Sequence, residues 1–158
     1  MSALTTAQVI ARFVTSLEAG MPTGWRRSVF APSMIGRDGG PREGKIWSVE
    51  APSLTVTEGR QRVKAGVGFT VEPWSVEDLV VVRWLVKLRP DGMVTDYDAG
   101  VAMDGLIVKA LYTGATAIVV TDMGTPLLRT SARTLEGDGT FLLGEMRFEL
   151  TRLFGLPA

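Results

Sequence analysis

The sequence predicts an α+β fold, in which a mostly antiparallel β-sheet packs against an N-terminal helix and a second helix at about residues 96–112. The strongest strand signal is at residues 78–88, where apolar side chains such as Trp84 alternate along one face. Residues 99–111 then repeat apolar side chains at helical spacing, as on the buried face of an amphipathic helix. A short turn joins the two segments, so their apolar faces can bury each other. We expect this strand and this helix to form the core.

The predicted second helix begins with two closely spaced aspartates. Asp96 is a residue type that favours the N-cap, and Asp98 in the first turn complements the positive end of the helix. As a cap, Asp96 would contribute about 1 kcal/mol to stability. Together with Asp122, the same carboxylates allow a second interpretation, because Mg²⁺ and Ca²⁺ prefer oxygen ligands. No EF-hand spacing accompanies them, so we favour the structural interpretation.

Capping signals and period-two alternation predict the remaining elements. Thr5 and Gln8 have the spacing of a capping box and precede an apolar helical stripe. Residues 62–71 alternate strictly between apolar and polar side chains, which predicts one strand with a solvent-facing side. Further strands are predicted at 25–30, 46–49, 54–57, 117–121, 127–135 and 140–153. A chain of 158 residues without internal repeats or a long linker is expected to form a single domain.

The composition narrows the functional classes. The 17 basic and 17 acidic side chains balance, which gives no general attraction to nucleic acid or to anionic membranes. The absence of cysteine excludes disulfides, thiolate metal ligands and cysteine nucleophiles, and the absence of histidine removes the usual base of hydrolytic triads. No serine lies in a G-x-S-x-G motif. We therefore predict no catalytic residues, no metal site and no cofactor, and an enzyme is the less favoured class.

The sequence also lacks the signals of export and membrane insertion. Its start has no basic segment followed by a long apolar run, as a signal peptide would have. No later stretch reaches the ~18 uninterrupted apolar residues of a membrane span. We therefore expect a soluble chain that does not contact membranes.

Two glycine-containing segments are candidates for assembly contacts. Residues 36–45 combine four glycines, a proline and five charges, so they bury little apolar area and predict a flexible loop. A solvated hairpin is the simplest interpretation, and the functional alternative is a contact arm that becomes ordered on a partner. The glycines on the polar side of residues 62–71 leave space for another backbone to approach. The predicted assembly contacts are Arg37, Arg42, Lys45, Arg62, Lys64, Gly66 and Gly68.

The order of elements resembles that of a known protein family. An N-terminal amphipathic helix and a β-rich middle are followed by the strand VVVRWLVKL, the helix DYDAGVAMDGLIVKAL and the closing strand FLLGEMRFELTRLF. In this order, and in the form of the closing strand, the chain is similar to the tail terminator (tail completion) proteins of long-tailed bacteriophages and gene transfer agents. The resemblance covers the first helix and residues 63–154, and it includes no diagnostic motif.

The resemblance implies a structural virion protein without catalytic residues. Members of this family are small α+β subunits that form a hexameric ring, cap the tail tube, stop its polymerisation and present a surface to the head connector. The implied partners are other copies of the chain, the tail tube protein and the head–tail connector, with DNA only as cargo that passes through the ring. The implied location is the virion tail, which is assembled in the host bacterial cytoplasm.

The sequence leaves two alternatives open. One is another virion part, such as a neck, connector or baseplate subunit, which would form a ring of another size or at another position. The other is a cytosolic small-molecule-binding protein or enzyme that uses Asp96, Asp98 and Asp122. Such a protein would bind a ligand or a metal saturably as a monomer.

Overall fold

The computed structural model describes residues 4–58, 61–64, 68–71 and 74–154 and has an α+β fold. Within these described residues, the helices are α1 (Thr6–Gly20), α2 (Met93–Val101) and α3 (Met103–Tyr112). The strands are β1 (Arg26–Arg27), β2 (Lys45–Glu58), β3 (Gln61–Lys64), β4 (Gly68–Val71), β5 (Trp74–Lys87), β6 (Leu127–Glu136) and β7 (Phe141–Phe154).

Five strands form the main sheet in the order β1-β2-β5-β7-β6. β5 and β7 pair along their whole lengths, from Trp74 opposite Phe154 to Lys87 opposite Phe141. β2 and β6 extend this centre on either side, and every one of these neighbours is antiparallel. β1 pairs in parallel with the start of β2. β3 and β4 form a separate two-stranded sheet.

The hydrophobic core lies on one face of the main sheet. Trp84 of β5 is fully buried in a cluster with side chains of α1 and α3, as the sequence predicts. Its ring lies over Gly144 of β7, where a Cβ atom would stand only 2.0 Å from a ring carbon. The indole N–H donates a hydrogen bond of 3.3 Å to the carbonyl of Gly100 in α2. The other fully buried large side chains of this cluster include Phe13, Leu17, Trp47, Met103, Ile107, Leu111, Met146 and Phe148.

The first helix begins as the sequence predicts and packs closely on α3. The Thr5 hydroxyl accepts a hydrogen bond of 3.2 Å from the Gln8 N–H, and the Gln8 side chain accepts one of 2.8 Å from the Thr5 N–H. This reciprocal pair is the predicted capping box. At the other end of the helix, a Cβ on Gly20 would lie 2.5 Å from the Cβ of Ala110. Glycine therefore allows the two helices to approach each other at this point.

The predicted second helix is in fact two helices. α2 begins at Met93, before the predicted range of 96–112, and Ala102 separates it from α3. The N-cap position is held by Gly92, so the prediction that Asp96 caps the helix is wrong. Asp96 lies one turn later and is buried. N-cap preference did not decide its place, because the carboxylate binds Arg89, which precedes the helix.

The alternating segment at 62–71 is a hairpin rather than the single predicted strand. β3 and β4 pair in antiparallel, with Lys64 opposite Gly68 and Arg62 opposite Thr70. The residues that connect them lie outside the described part of the chain. Period-two alternation is the same in one long strand and in two short ones, so the sequence pattern did not reveal the reversal.

The structure corrects four of the other strand predictions and confirms the last two. Residues 46–49 and 54–57 belong to one strand, β2, because a bulge at Pro52 interrupts the pairing without ending it. Residues 117–121 are not a strand but an irregular segment after α3. Of the predicted residues 25–30, only those of β1 are paired. The strands predicted at 127–135 and 140–153 are confirmed as β6 and β7.

A buried ion pair links β5, β7 and the start of α1. Arg152 and Asp78 both have fully enclosed side chains, and Arg152 Nε donates a hydrogen bond to the Asp78 carboxylate. Arg152 also donates from Nη1 to the carbonyl of Leu4 and from Nη2 to the hydroxyl of Thr6, the latter at 2.8 Å. A buried charge is tolerated only with such partners. The guanidinium therefore ties the beginning of the first helix to the centre of the sheet.

The opposite face of the sheet carries a ladder of ion pairs. Arg83 in β5 donates to Glu145 in β7 and to Glu50 in β2, each at 2.9 Å. Arg147 also donates to Glu145, at 2.7 Å. The alternating charges of β7 are thus paired partly across strands and partly along β7 itself. One end of this face is apolar instead, with a small buried cluster of Met34, Ile46, Leu85 and Phe141.

Candidate assembly interface

β6 forms one edge of the main sheet and is exposed along nearly its whole length. Of its ten residues, only Leu128 is partly covered. Its outward backbone groups bond to no other strand within the described residues. Leu127 and Leu135 are 52% and 57% exposed although both are large apolar side chains. A long, uncovered edge strand is a template for pairing with another chain.

The other edge of the sheet is open as well. β1 covers β2 only at Ile46 and Trp47. Beyond them, the outward edge of β2 has no strand partner in the part of the chain that the structure describes. Leu54 and Val56, in this uncovered part, are 40% and 51% exposed. The sheet therefore ends on both sides in a strand that can accept another strand.

A basic cleft of about 540 Å³ lies where β2 begins and β5 ends. Lys45 and Lys87 face it and have no ion-pair partner among the described residues. The other charged groups of the cleft are paired, since Arg26 lies 3.9 Å from Glu43 and Arg89 binds Asp96. The unpaired ammonium groups give the cleft a net positive charge. Its chemistry suits the carboxylates or phosphates of a partner.

Asp96 fixes Arg89 at the rim of this cleft. The buried carboxylate accepts three hydrogen bonds of 2.9 Å from Arg89, one from its backbone N–H and two from its guanidinium. These bonds hold the pKa of Asp96 below its ordinary value and raise the pKa of Arg89. The arrangement makes Asp96 a structural anchor that orients an exposed arginine.

The predicted contacts in residues 36–45 lie on a compact turn next to the cleft. Arg37 and Arg42 are exposed, and Lys45 is the first residue of β2. The Gly36 N–H donates to the Gly40 carbonyl at 2.7 Å, and the Arg42 N–H donates back to Met34 at 2.9 Å. This geometry agrees with the solvated-hairpin interpretation of the segment.

The remaining predicted contacts lie at the far end of β2. Arg62 and Lys64 are in β3, Gly68 begins β4, and Gly66 lies outside the described residues. The 14 residues of β2 extend over roughly 45 Å. One subunit therefore does not bring Lys45 and the β3–β4 hairpin together in a common surface. The role of both groups in assembly stays a prediction.

The aspartates of the metal hypothesis do not converge. Within the described residues, no group of three or more acidic, histidine or cysteine side chains could hold a metal ion. Asp96 is bound by Arg89, Asp98 is exposed, and Asp122 lies in a turn with φ of 64°. In the same part of the chain, no helix has the length and apolar character needed to cross a membrane.

Sequence reasoning missed the residues that make the two edges and the cleft distinctive. Leu135 and Val56 both lie in predicted strands, but alternation does not reveal which strand lies at an edge. Lys87 and Arg89 were visible as charges at the end of a buried strand. Their convergence with Lys45 depends on the pairing of β2 with β5, which no local pattern specifies.

Comparisons with known proteins give a structural match without a family. No protein-family model and no curated protein sequence matches the chain. Among solved structures, the chain is similar to one described as "Virion of native gene transfer agent (GTA) particle". The TM-score is 0.47 and the identity 11%, over 96% of this chain and 100% of that chain. At this identity and TM-score, an assignment of function has to rest on the chain's own residues.

Proposed function

We propose that this chain is a structural subunit of a bacteriophage or gene-transfer-agent particle, and that it is the tail terminator. In this role, copies of the chain form a closed hexameric ring that caps the tail tube and joins it to the head connector. DNA passes through the ring only as cargo. The observation that carries the proposal is the main sheet with two edges that no other described strand covers, β6 and the part of β2 beyond Trp47.

The open edges support assembly because soluble monomers usually protect such strands. Short edge strands, charges, prolines and covering loops are the common means of protection. β6 carries the charged residues Arg129, Arg133 and Glu136, but it is ten residues long and also exposes Leu127 and Leu135. Because β6 and β2 are different surfaces of the same subunit, contact between them is heterologous. Heterologous contacts generate closed rings when the rotation between subunits closes.

The position in the particle is supported by the resemblance of the element order to tail terminators. The basic cleft adds a second argument, because it lies at one end of the strands rather than along an edge. If the strands run obliquely from one rim of the ring to the other, each cleft opens at a rim. The rims are the surfaces at which the tail tube and the head connector bind, so the unpaired Lys45 and Lys87 would face an acidic partner.

Native mass spectrometry and electron microscopy of the purified protein test the proposal. We expect a closed species of six times the chain mass of 17.0 kDa, formed with rising protein concentration or on addition of tail tubes. Tubes polymerised in its presence should be shorter and capped at one end. A ring of another size, or binding to a baseplate instead of the tube end, would assign the chain to a different virion part. A strict monomer under all these conditions would contradict a ring.

A further inference from the structure

We propose that β6 of one copy pairs in antiparallel with residues 53–56 of β2 in the next copy, so that the subunits of the ring join head to tail in a continuous sheet. The inference rests on the proposed function, since it describes how the ring closes. It assigns a specific partner to each open edge of the main sheet. It also excludes a two-fold pairing of β6 with β6.

The strand directions of the sheet allow this contact without reversing a subunit. β2, β5, β7 and β6 are successive antiparallel neighbours, so β2 and β6 run in opposite directions. A second copy placed beside the first in the same orientation therefore presents β2 antiparallel to β6. Antiparallel pairing is the arrangement that the rest of this sheet uses, and it is slightly more stable per residue than parallel pairing.

Exposed apolar side chains of both edges lie on the face that carries the helices, although Leu127 of β6, opposite Glu149, lies on the charged face. Leu54 and Val56 are opposite Asp78 and Val76 of β5, on the face that carries the helices. Leu135 is opposite Leu142 of β7, which is on that face too. Across the sheet, Leu135 is level with Lys45, whereas Leu54 is level with Leu150 of β7. The apolar side chains of the two edges therefore meet, and leave water, when neighbouring copies are offset by about eight residues along the strands. Two-fold pairing of β6 would leave the apolar edge of β2 exposed.

The irregular positions of the two strands define the length of the contact. In β2, Pro52 has no backbone N–H, and register shifts occur between Glu50 and Ser53 and again after Val56. Regular strand geometry is therefore available at residues 53–56. In β6, the register shift lies between Leu128 and Thr130, so the regular part follows it. Each edge thus offers one uninterrupted segment for pairing.

Cysteine cross-linking tests this pairing directly, because the natural chain contains no cysteine. Thr55→Cys and Ala132→Cys place a thiol on each edge, at exposed positions of the charged face of the sheet. Ser53→Cys in β2 and Thr134→Cys in β6 are added to the set. Pairing each β2 variant with each β6 variant then shows which residues are opposite each other between copies. Thr113→Cys, exposed after α3, is the control outside both edge strands. Single variants are mixed, assembled and oxidised, and the linked peptides are identified by mass spectrometry.

We expect disulfides between a β2 thiol and a β6 thiol in at least one mixed pair, and none with Thr113→Cys. A double variant with a thiol on each edge should give a covalent ladder that ends at the size of the ring. Self-linking of Ala132→Cys alone would overturn the inference in favour of two-fold contact. A ring that assembles without any β2–β6 link would overturn the inference but leave the proposed function standing. If no ring forms at all, both fail.

A matched pair of charge substitutions provides a second measurement. Leu135→Glu places a charge at the proposed contact, and Val94→Glu places one on an equally apolar, 75% exposed position of α2. Because both side chains are exposed, circular dichroism should show intact folding in both variants. We expect subunit association to weaken about tenfold or more for Leu135→Glu, which corresponds to about 1.4 kcal/mol. Equal effects of the two substitutions on association would overturn the inference.

Discussion

The two faces of the main sheet are constructed in different ways. The face beneath the helices encloses Trp84 and a buried ion pair between Asp78 and Arg152. The opposite face carries the ladder around Arg83 and Glu145, whose side chains are 25% and 31% exposed. In a close-packed interior, each lost group leaves a cavity or an unpaired charge. At a solvated face, water replaces a lost ion pair, so we expect the stability of this subunit to depend mainly on the covered face.

The largest expected effect comes from Trp84→Ala on the covered face. The substitution removes a fully buried ring that fills the space over Gly144. Comparable truncations cost about 3–5 kcal/mol, a large part of the roughly 5–15 kcal/mol of a typical domain. Urea unfolding followed by circular dichroism measures the loss. A cost below 1 kcal/mol would show that the cluster is less tightly packed than its burial indicates.

Arg152→Leu should have a cost of similar size for an electrostatic reason. It leaves the Asp78 carboxylate buried without its cation, and breaking a buried pair in this way costs about 3–5 kcal/mol. The double variant Asp78→Leu/Arg152→Leu removes both charges and serves as the matched comparison. We expect it to be more stable than the single variant in the same unfolding assay. If the single variant is as stable as the natural chain, the pair does not hold the start of α1.

Asp96→Ala should have an intermediate effect, since one partner of this pair is buried and the other is 60% exposed. Loss of the three hydrogen bonds to Arg89 should cost about 1.5–3 kcal/mol, more than a simple N-cap. Asp98→Ala on the same helix is the control and should be nearly neutral, because Asp98 is exposed. If both substitutions lower the free energy of unfolding equally, Asp96 does not anchor Arg89.

The same carboxylate predicts the direction of a pH effect. The pKa of Asp96 is lowered in the folded chain by its hydrogen bonds from Arg89. Its contribution is therefore complete above the unfolded-state pKa of about 4 and is lost as pH falls through the lower folded-state value. Unfolding free energies measured downward from pH 5 should decrease less steeply in Asp96→Asn than in the natural chain. An identical slope would show that Asp96 does not contribute to the loss of stability at low pH.

The smallest expected effect is that of Glu145→Ala on the charged face. Burial alone would raise the pKa of Glu145, but hydrogen bonds from Arg147 and Arg83 outweigh it and lower the pKa. Because the ladder is in contact with water, we expect a loss of less than about 1 kcal/mol that shrinks further at high salt. The comparison of the two faces would break down if this substitution destabilised the chain as much as Trp84→Ala.

Local patterns predicted the elements of this fold well and the distant partnerships poorly. The strand around Trp84 and the capping box at Thr5 were predictable because alternation and capping are properties of neighbouring residues. Arg152 finds Asp78 across 74 residues, and no spacing rule anticipates such a pair. Asp96 was assigned to a cap because its residue type favours one. Its true partner, Arg89, precedes the turn that the cap was expected to follow.

The same limit explains why the candidate interface was not predicted. The sequence of β6 contains Thr, Ser and Arg, which suits an exposed strand, but its place at the edge depends on the order of all five strands. The glycine-rich segment at 36–45 attracted attention by composition alone. Its separation from Lys64 by the full length of β2 could be seen only when β2 proved to be one strand instead of two.

The contact between Arg152 and Leu4 has a consequence for synthesis of the chain. These residues are 148 positions apart, and β7 lies between β5 and β6 in the sheet. A nascent chain can therefore neither complete the sheet nor fix its first helix until β7 has left the ribosome. Contacts so distant in sequence slow folding. During this interval, the apolar strand β5 has only β2 as a partner and is open to aggregation.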